Sequence, residues 1–406
     1  MMESRFQSLI RGKKVVFITV KNKDYIRVTQ VKRLLEKEAS SFAIFTSEKG
    51  NPITRALDLR RRIPKMDFSD ADVIILGFLP QLIIGKVMDC IGRGQDASTP
   101  KDSAVGNAAQ SADGNAAKFA ADSVAQSVVG GPGRQLVVAD MFLSLYDTVV
   151  LDRKFITDGY PVSLFLRKLD KRVIENSDLV LTDTKANASF LANTYGASAE
   201  KFETLYLEAD SELYDAARYA SGVTDEVDVE KVVEEISSYG IKDKEGNTEG
   251  REKGTLDRPF KVLYFGTGLP LQGTDTVLDA FNIAAGDKIK CTYVGGLNGV
   301  KSSISKNATI NPNIEIINWL SQKELAKKIA EADLCVAGHF NLYIDKAART
   351  IPGKAYIYEA MGKPMILGDT KANHELFTPD EKHIFVKRGN SKELAKAILR
   401  ACGSAE

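Results

Sequence analysis

The sequence is poor in cysteine and has no long apolar run. Its four cysteines, Cys90, Cys291, Cys335 and Cys402, lie far apart without a CxxC pair. This spacing excludes a zinc cluster or a disulfide framework as the basis of the fold, and it fits a reducing compartment. No stretch reaches the ~20 apolar residues that a membrane span needs. Because the polar, basic N-terminus has no apolar signal core behind it, we expect a cytoplasmic protein rather than a secreted one.

An excess of charge of one sign is missing as well. Lysine and arginine number 55 and aspartate and glutamate 54 among 406 residues, which leaves a net charge of +1. This balance excludes a strongly basic nucleic-acid binder, and it provides no overall field that would draw the protein to anionic membranes. The overall balance does not exclude local basic patches on the surface.

Short β-branched runs that alternate with amphipathic helical stretches dominate the sequence. The run 14–20 is almost continuously apolar, which is typical of a strand buried on both faces. Residues 27–38 follow with apolar side chains at helical spacing. The same alternation starts again near Pro259. The pattern predicts an α/β protein of two Rossmann-like domains, each with a parallel sheet covered by helices.

Two segments interrupt the alternation and define the predicted domains. Residues 94–133 are rich in small and polar residues, which predicts a flexible insertion. Residues 211–257 are heavily charged and predict a linker with an insertion. We therefore predict an N-terminal domain over 1–210 and a C-terminal domain over 258–406.

Two glycine-rich turns follow strand candidates in the second half. Gly266–Gly273 fails as a dinucleotide fingerprint, because Leu271 stands where the third glycine is required. Its backbone N–H groups and the following helix N-terminus could still accept an anion. Gly295 and Gly296 would allow close approach of a ligand or of another backbone. An ordinary tight turn is the alternative at both places.

Three further positions carry candidate chemistry. His339 follows a strand candidate, and loops at the carboxyl ends of parallel strands are where open α/β sheets bind ligands. Pro352 and Gly353 would begin a helix with Lys354 in its first turn. A cation there gains nothing from the helix dipole, whereas a phosphorylated ligand would use both the N–H groups and the charge. The alternatives are a structural histidine and a solvated basic loop.

In the first half, Asp140 ends a strand candidate. An acid at that place could orient a hydroxyl group or accept a proton. Capping of a helix is the alternative.

Taken in order, the motifs of the second half resemble a known family. The chain is similar to the C-terminal domain of GT-B glycosyltransferases, in which two Rossmann-like domains face each other across a cleft. It most resembles glycosyltransferase family 4 (group 1), in an Ile-Pro-x-Lys variant. The motifs that carry the resemblance are Tyr264-Phe-Gly266, Pro270-Leu-Gln-Gly273, Tyr293-Val-Gly-Gly296, Ile316-Ile-Asn-Trp319, Ile351-Pro-Gly-Lys354 and Tyr358-Glu-Ala-Met-Gly-Lys-Pro364.

The resemblance implies an enzyme that moves a sugar from a nucleoside-diphosphate sugar to a glycan or lipid-linked acceptor in polysaccharide or glycoconjugate synthesis. It implies retention of anomeric configuration, no metal ion and no other cofactor, and no nucleic-acid partner. Peripheral association with the inner face of the membrane stays open. The implied catalytic residues are Asp140, Arg349 and Lys354, and the implied donor-binding residues are Gly266, Thr267, Gly268, Gln272, Gly273, Gly295, Trp319, His339, Tyr358 and Glu359.

The chain departs from the family at several of these positions. Thr267 and Gln272 stand where the family usually has basic residues, and Ile351 stands where it has a glutamate. The first half contains no histidine, and Asp140 occupies about the place where many members use one. These departures leave two alternatives: a catalytically silent GT-B-like subunit that binds nucleotide sugars, and a sugar-nucleotide epimerase on the same architecture.

Overall fold

The computed structural model describes residues 4–92, 134–220, 258–297 and 311–403. The chain divides into two compact units, Met1–Tyr206 and Leu207–Glu406. The predicted insertion at 94–133, and the predicted linker from residue 221 onwards, lie outside the described residues. No helix within the four described ranges is both long and apolar enough to cross a membrane.

The first unit is built on a sheet of six parallel strands in the order β2-β1-β3-β4-β5-β6. Its strands are β1 (Lys14–Thr19), β2 (Ser41–Phe45), β3 (Val73–Gly77), β4 (Leu136–Asp140), β5 (Leu179–Thr182) and β6 (Phe202–Thr204). Its helices are α1 (Arg5–Ile10), α2 (Ile26–Glu38), α3 (Pro52–Arg62), α4 (Ile84–Cys90), α5 (Pro161–Asn176) and α6 (Lys185–Tyr195), and a π-helical turn covers Asp147–Asp152.

The central strand β3 shows why this sheet forms. All five of its residues are buried, and alternate side chains enter opposite layers of the core. Ile74 joins the layer that contains Leu59 of α3, whereas Ile75 joins the layer that contains Val31 of α2. An almost wholly apolar strand is therefore stable only between two layers of helices.

The second unit repeats this plan with the strand order β12-β11-β10-β7-β8-β9, again all parallel. Its strands are β7 (Phe260–Phe265), β8 (Ile289–Val294), β9 (Ile314–Ile317), β10 (Leu334–Gly338), β11 (Met365–Gly368) and β12 (His383–Val386). Its helices are α7 (Ala216–Ala220), α8 (Thr274–Ala284), α9 (Gln322–Glu331), α10 (Lys346–Arg349), α11 (Gly353–Ala360) and α12 (Ser391–Ala401).

The strand order of the second unit locates a crevice. From β7 the chain builds outwards through β8 and β9, and then returns to β10 on the other side of β7. The order therefore reverses between β7 and β10, and open α/β sheets bind ligands beyond the carboxyl ends of the strands at such a point. Gly266 follows β7 directly and His339 follows β10 directly. The two parallel sheets confirm the fold class predicted from the sequence.

Candidate functional site

The glycine-rich turn after β7 touches the end of β8 through bare backbone. Gly266 donates its N–H to the carbonyl of Val294 over 2.9 Å. A Cβ placed on Gly295 would lie only 2.1 Å from the carbonyl oxygen of Gly266, and the φ of Gly295 is +150°. Both facts require glycine at position 295. Gly295 therefore allows the end of β8 to contact the backbone of the turn after β7.

The same turn is bonded to the loop after β10. Phe340 donates its N–H to the carbonyl of Gln272 over 3.0 Å, and the Asn341 side chain donates to the carbonyl of Pro270 over 2.8 Å. Gly273 has a φ of +62°, and a Cβ there would lie 2.6 Å from the backbone nitrogen of Asn341. The two loops that flank the reversal of strand order therefore form one continuous edge.

Lys354 lies buried beside this edge. It stands in the first turn of α11, behind Pro352 at the N-cap position. Only 5% of the residue is exposed, and its Nζ lies 3.7 Å from the centroid of the Tyr264 ring. Among the described residues this Nζ has no hydrogen-bond partner. A lysine is almost never buried in this way without a partner.

Three polar atoms converge where Gly266 lacks a side chain. A Cβ on Gly266 would lie 2.5 Å from Gln272 Oε1, 2.8 Å from the Tyr264 hydroxyl oxygen and 3.1 Å from Lys354 Nζ. The Tyr264 hydroxyl donates to Gln272 Oε1 over 3.2 Å. We call these three side chains, Tyr264, Gln272 and Lys354, the Lys354 cluster. Only Gln272 and Lys354 of the three were singled out from the sequence.

The electrostatics of the Lys354 cluster are unbalanced. Burial lowers the pKa of the Lys354 ammonium well below its usual value. The Tyr264 ring offsets part of the desolvation, since a desolvated cation–π contact stabilises by about 2 kcal/mol. Taking an ammonium out of water costs several kcal/mol. Burial also raises the pKa of the Tyr264 hydroxyl well above its usual value. This hydroxyl therefore does not supply a negative charge that would pair with the Lys354 ammonium.

His339 adds a neutral group to the same edge. The residue is buried, and its Nδ1 lies 3.4 Å from Thr350 Oγ1. Burial, and next the charge of Lys354, lower the pKa of the imidazole to about 3. His339 therefore stays uncharged at neutral pH, where it can exchange hydrogen bonds but cannot act as a counter-ion.

Glu359 does not lie at the edge that carries the Lys354 cluster and His339. It lies in the last turn of α11, and its carboxylate is 2.8 Å from Nε2 of His383, which opens β12. Along a helix, five residues advance about 7.5 Å and turn about 140° from Lys354. Since α11 runs back from the carboxyl edge of the sheet, Glu359 lies towards the amino edge. Helical periodicity already indicates this, because positions 354 and 358 share a face and 359 does not.

The remaining predicted donor residues take varied places. Thr267 is exposed in the glycine-rich turn, and Gly268 adopts a φ of +70° beside it. Trp319 follows β9 and is 76% exposed. Tyr358 is fully buried, edge-on to Phe265. Arg349 ends α10, partly buried, four residues before α11 begins.

In the first unit, Asp140 forms a buried ion pair with Arg27. The guanidinium donates from Nε and Nη2 to the two carboxylate oxygens over 3.0 and 3.1 Å, and both side chains are buried. A bidentate pair of this kind engages both carboxylate oxygens, so Asp140 is a structural anion rather than an available base. Sequence reasoning missed Arg27, although it precedes Val31 by four residues on the buried stripe of α2.

The carboxyl edge of the second unit is of the kind that doubly wound α/β proteins use for nucleotides. Residues 259–404 match the model of the family described as glycosyl transferases group 1. A search of the curated proteins gave no match. The family match and the folds of the solved structures below confirm the resemblance to GT-B glycosyltransferases.

Solved structures extend the likeness of fold to nearly the whole chain. Anabaena HepE, crystallised with UDP and glucose, is 13% identical with a TM-score of 0.52 over 95% of this chain and 89% of that one. A glycosyltransferase from Rickettsia africae is 13% identical with a TM-score of 0.54, over 97% and 88%. Sucrose-phosphate synthase from Thermosynechococcus elongatus is 12% identical with a TM-score of 0.54, over 96% and 90%. At these identities the likeness concerns the fold.

Proposed function

We propose that the protein is a glycosyltransferase that takes its sugar from a nucleoside-diphosphate sugar, and that Lys354 binds the diphosphate. The observation that carries this proposal is the buried Nζ of Lys354, which lacks a hydrogen-bond partner within the described ranges. It lies at the reversal of strand order, beside a turn kept narrow by Gly266 and Gly295. A diphosphate would supply the missing anion, and the first turn of α11 would offer it N–H groups.

This arrangement suits the chemistry of glycosyl transfer. When the bond to the sugar breaks, negative charge grows on the departing nucleoside diphosphate. A fixed cation in a site that excludes water stabilises such charge far better than a solvated one does. Gln272 and the neutral His339 would add hydrogen bonds without adding charge. We leave Glu359 out of the donor site, and we assign the pair of Asp140 and Arg27 to holding the first unit in shape.

The finer features of the reaction are part of the proposal. Lys354 would stabilise the negative charge on the departing diphosphate, as a metal ion does in other transferases. Transfer without a metal ion follows from that role. Retention of configuration and a glycan or lipid-linked acceptor are carried over from the family resemblance. The low cysteine content supports a cytoplasmic location.

A panel of nucleotide sugars tests the proposal. UDP-, GDP- and ADP-sugars are added to the full chain with EDTA present, and the melting temperature is followed. At least one of them should raise it, since a ligand that binds only the folded state stabilises that state. Failure of every member would refute donor binding.

Product analysis then separates the three candidate activities. Release of nucleoside diphosphate that depends on an added glycan or lipid acceptor identifies a transferase, and the anomeric configuration of the product is read by NMR. Binding without turnover would identify a silent subunit. Conversion of the sugar nucleotide into an isomer, with no acceptor present, would identify an epimerase.

A further inference from the structure

The protonation state of Lys354 before the donor binds depends on what surrounds its Nζ. Only 5% of the residue is exposed, and Nζ has no hydrogen-bond partner among the described residues. An amine in this position lacks both the water and the anion that would stabilise its charged form. Buried lysines shift their protonation equilibrium readily, and the shift is towards the neutral amine.

The ionisable groups that face Lys354 supply no negative charge. Strand β7 presents the Tyr264 hydroxyl, and Tyr358 lies one turn further along the same face of α11. Burial raises the pKa of both hydroxyls well above the usual value, so both stay protonated. The loop after β10 presents His339, which burial keeps neutral with a pKa of about 3. Protonation of Lys354 would therefore place a lone positive charge among neutral groups.

Two aromatic rings lie beside the Lys354 Nζ. It is 3.7 Å from the centroid of the Tyr264 ring and 5.6 Å from that of Phe265. Such rings favour the ammonium, but they offset only part of its desolvation penalty. After burial and Tyr293, the exposed Asp275 of α8 also raises the pKa of the Tyr264 hydroxyl, but no carboxylate of the described residues pairs with Nζ. Burial accordingly lowers the pKa of the Lys354 ammonium well below its usual value.

We propose that binding of the donor diphosphate is coupled to the uptake of a proton by Lys354. This coupling rests on the proposed function, because the diphosphate is the anion that would favour the ammonium over the amine. The proton passes from the solvent to the lone pair of Nζ, and the charged group then donates hydrogen bonds to phosphate oxygens. When the nucleoside diphosphate leaves, the proton returns to the solvent.

The coupling makes the affinity for the donor depend on pH. Since donor binding favours the protonated lysine, protonation must strengthen donor binding by the same factor. Affinity should therefore be greatest below the pKa that Lys354 has without the donor, and above it should fall by at most about tenfold per pH unit. The fall ends at the higher pKa that Lys354 has in the complex.

Titration calorimetry of the full chain in buffers of different ionisation enthalpy counts the protons. UDP-glucose, GDP-mannose and ADP-glucose are each titrated at neutral pH in PIPES, HEPES and Tris, because phosphate buffer would compete for the site. Intact nucleotide sugars are used, since they lack the weakly acidic second hydroxyl of a terminal phosphate and do not themselves titrate there. We expect uptake of more than about half a proton per bound nucleotide sugar.

Four variants assign the proton to one side chain. Lys354→Arg stays charged, so it should bind without proton uptake and with a flat pH profile. Lys354→Met should bind more weakly and also without uptake, and it serves if the larger arginine disturbs folding. His339→Asn should keep the uptake. Lys396→Met, which alters an exposed residue of α12, should match the wild type in both affinity and uptake.

The possible results separate the coupling from the donor site itself. A binding heat that is the same in all three buffers would overturn the coupling and leave the donor site standing. Uptake that persists in both Lys354 variants, or that disappears in His339→Asn, would assign the proton to another group and overturn the coupling too. Failure of all three nucleotide sugars to bind would refute the proposed function, and the coupling with it. Melting curves of every variant verify that it folds.

Discussion

Replacement of Lys354 by methionine separates the proposed binding role of this residue from its effect on stability. Methionine has a similar length and no charge, so Lys354→Met removes the buried ammonium and leaves little empty space. The loss of the contact with the Tyr264 ring, at 3.7 Å, costs about 2 kcal/mol. Relief of the desolvation penalty returns several kcal/mol. We therefore expect a net stabilisation of about 1–3 kcal/mol.

The expected shift in melting temperature is measurable. In a unit of about two hundred residues, 1 kcal/mol corresponds to roughly 2–4 °C. The variant should melt at least about 2 °C above the wild type when no ligand is present. Nucleotide sugar should reverse the order, because a hydrogen bond to a charged group contributes about 1.5–3 kcal/mol and its loss weakens binding about 10- to 150-fold.

Differential scanning calorimetry and titration calorimetry, both with and without the donor, measure the two effects. Lys396→Met is the matched control, since Lys396 is exposed on α12 of the same unit and should change neither quantity. Wild-type affinity for the donor in Lys354→Met would refute the phosphate role. A variant that melts below the wild type would show that Lys354 is a stabilising part of the core, and the argument from its unbalanced charge would fail.

Three further changes test other parts of the two units. The unfolded chain takes up a proton at His339 near pH 6.5, but the folded chain does so only near pH 3. The contribution of His339 to the free energy of unfolding should therefore be complete above pH 6.5 and fall by at most about 1.4 kcal/mol per pH unit below it. Urea unfolding of His339→Asn at several pH values should lose this slope. Asp140→Asn and Arg27→Met should each lower the free energy of unfolding by about 3–5 kcal/mol, and the double variant should lose less than the sum of the two. Additive losses would show that the two side chains do not form a stabilising pair. Gly295→Ala should cost at least about 2 kcal/mol, while Gly296→Ala, where a Cβ meets no atom within 4 Å, should be tolerated; equal melting of the two would contradict the close approach at position 295.

Much of the fold could be predicted because buried parallel strands are almost purely apolar. The strand predicted over 14–20 is β1 at Lys14–Thr19, and the helical stretch predicted over 27–38 is α2 at Ile26–Glu38. Strand β6 was missed, since three residues at the edge of a sheet are too few to show a pattern. Helix α3 was missed because charge masks its apolar residues, although Asn51 and Thr54 form a capping box at its start.

The candidate site was harder to predict because it depends on what surrounds each side chain. The sequence indicated Lys354 and the turn at Gly266 as a phosphate site. The burial of Lys354 could not be foreseen, because it depends on the Tyr264 ring, which comes from a strand ninety residues earlier. The partner of Asp140 was equally hidden, since Arg27 lies 113 residues away and reaches it only when β4 and α2 have packed.

The two buried cations of the described structure clarify which of them a ligand can use. Arg27 donates from Nε and Nη2 to Asp140 and from Nη1 to Gln30 Oε1 and the Leu205 carbonyl. Its charge is therefore neutralised within the protein and has little attraction left for a phosphate. Lys354 is also buried in the first turn of a helix, but no carboxylate of the described residues pairs with it. The Tyr264 ring offsets only part of the desolvation penalty of its ammonium. A buried lysine without an anion meets the desolvation penalty by a lowered pKa, which favours loss of its proton. An anion at this edge of glycine backbone would favour the charged form again. The proposed phosphate role therefore sets stability against binding at Lys354, and the calorimetry of Lys354→Met measures both.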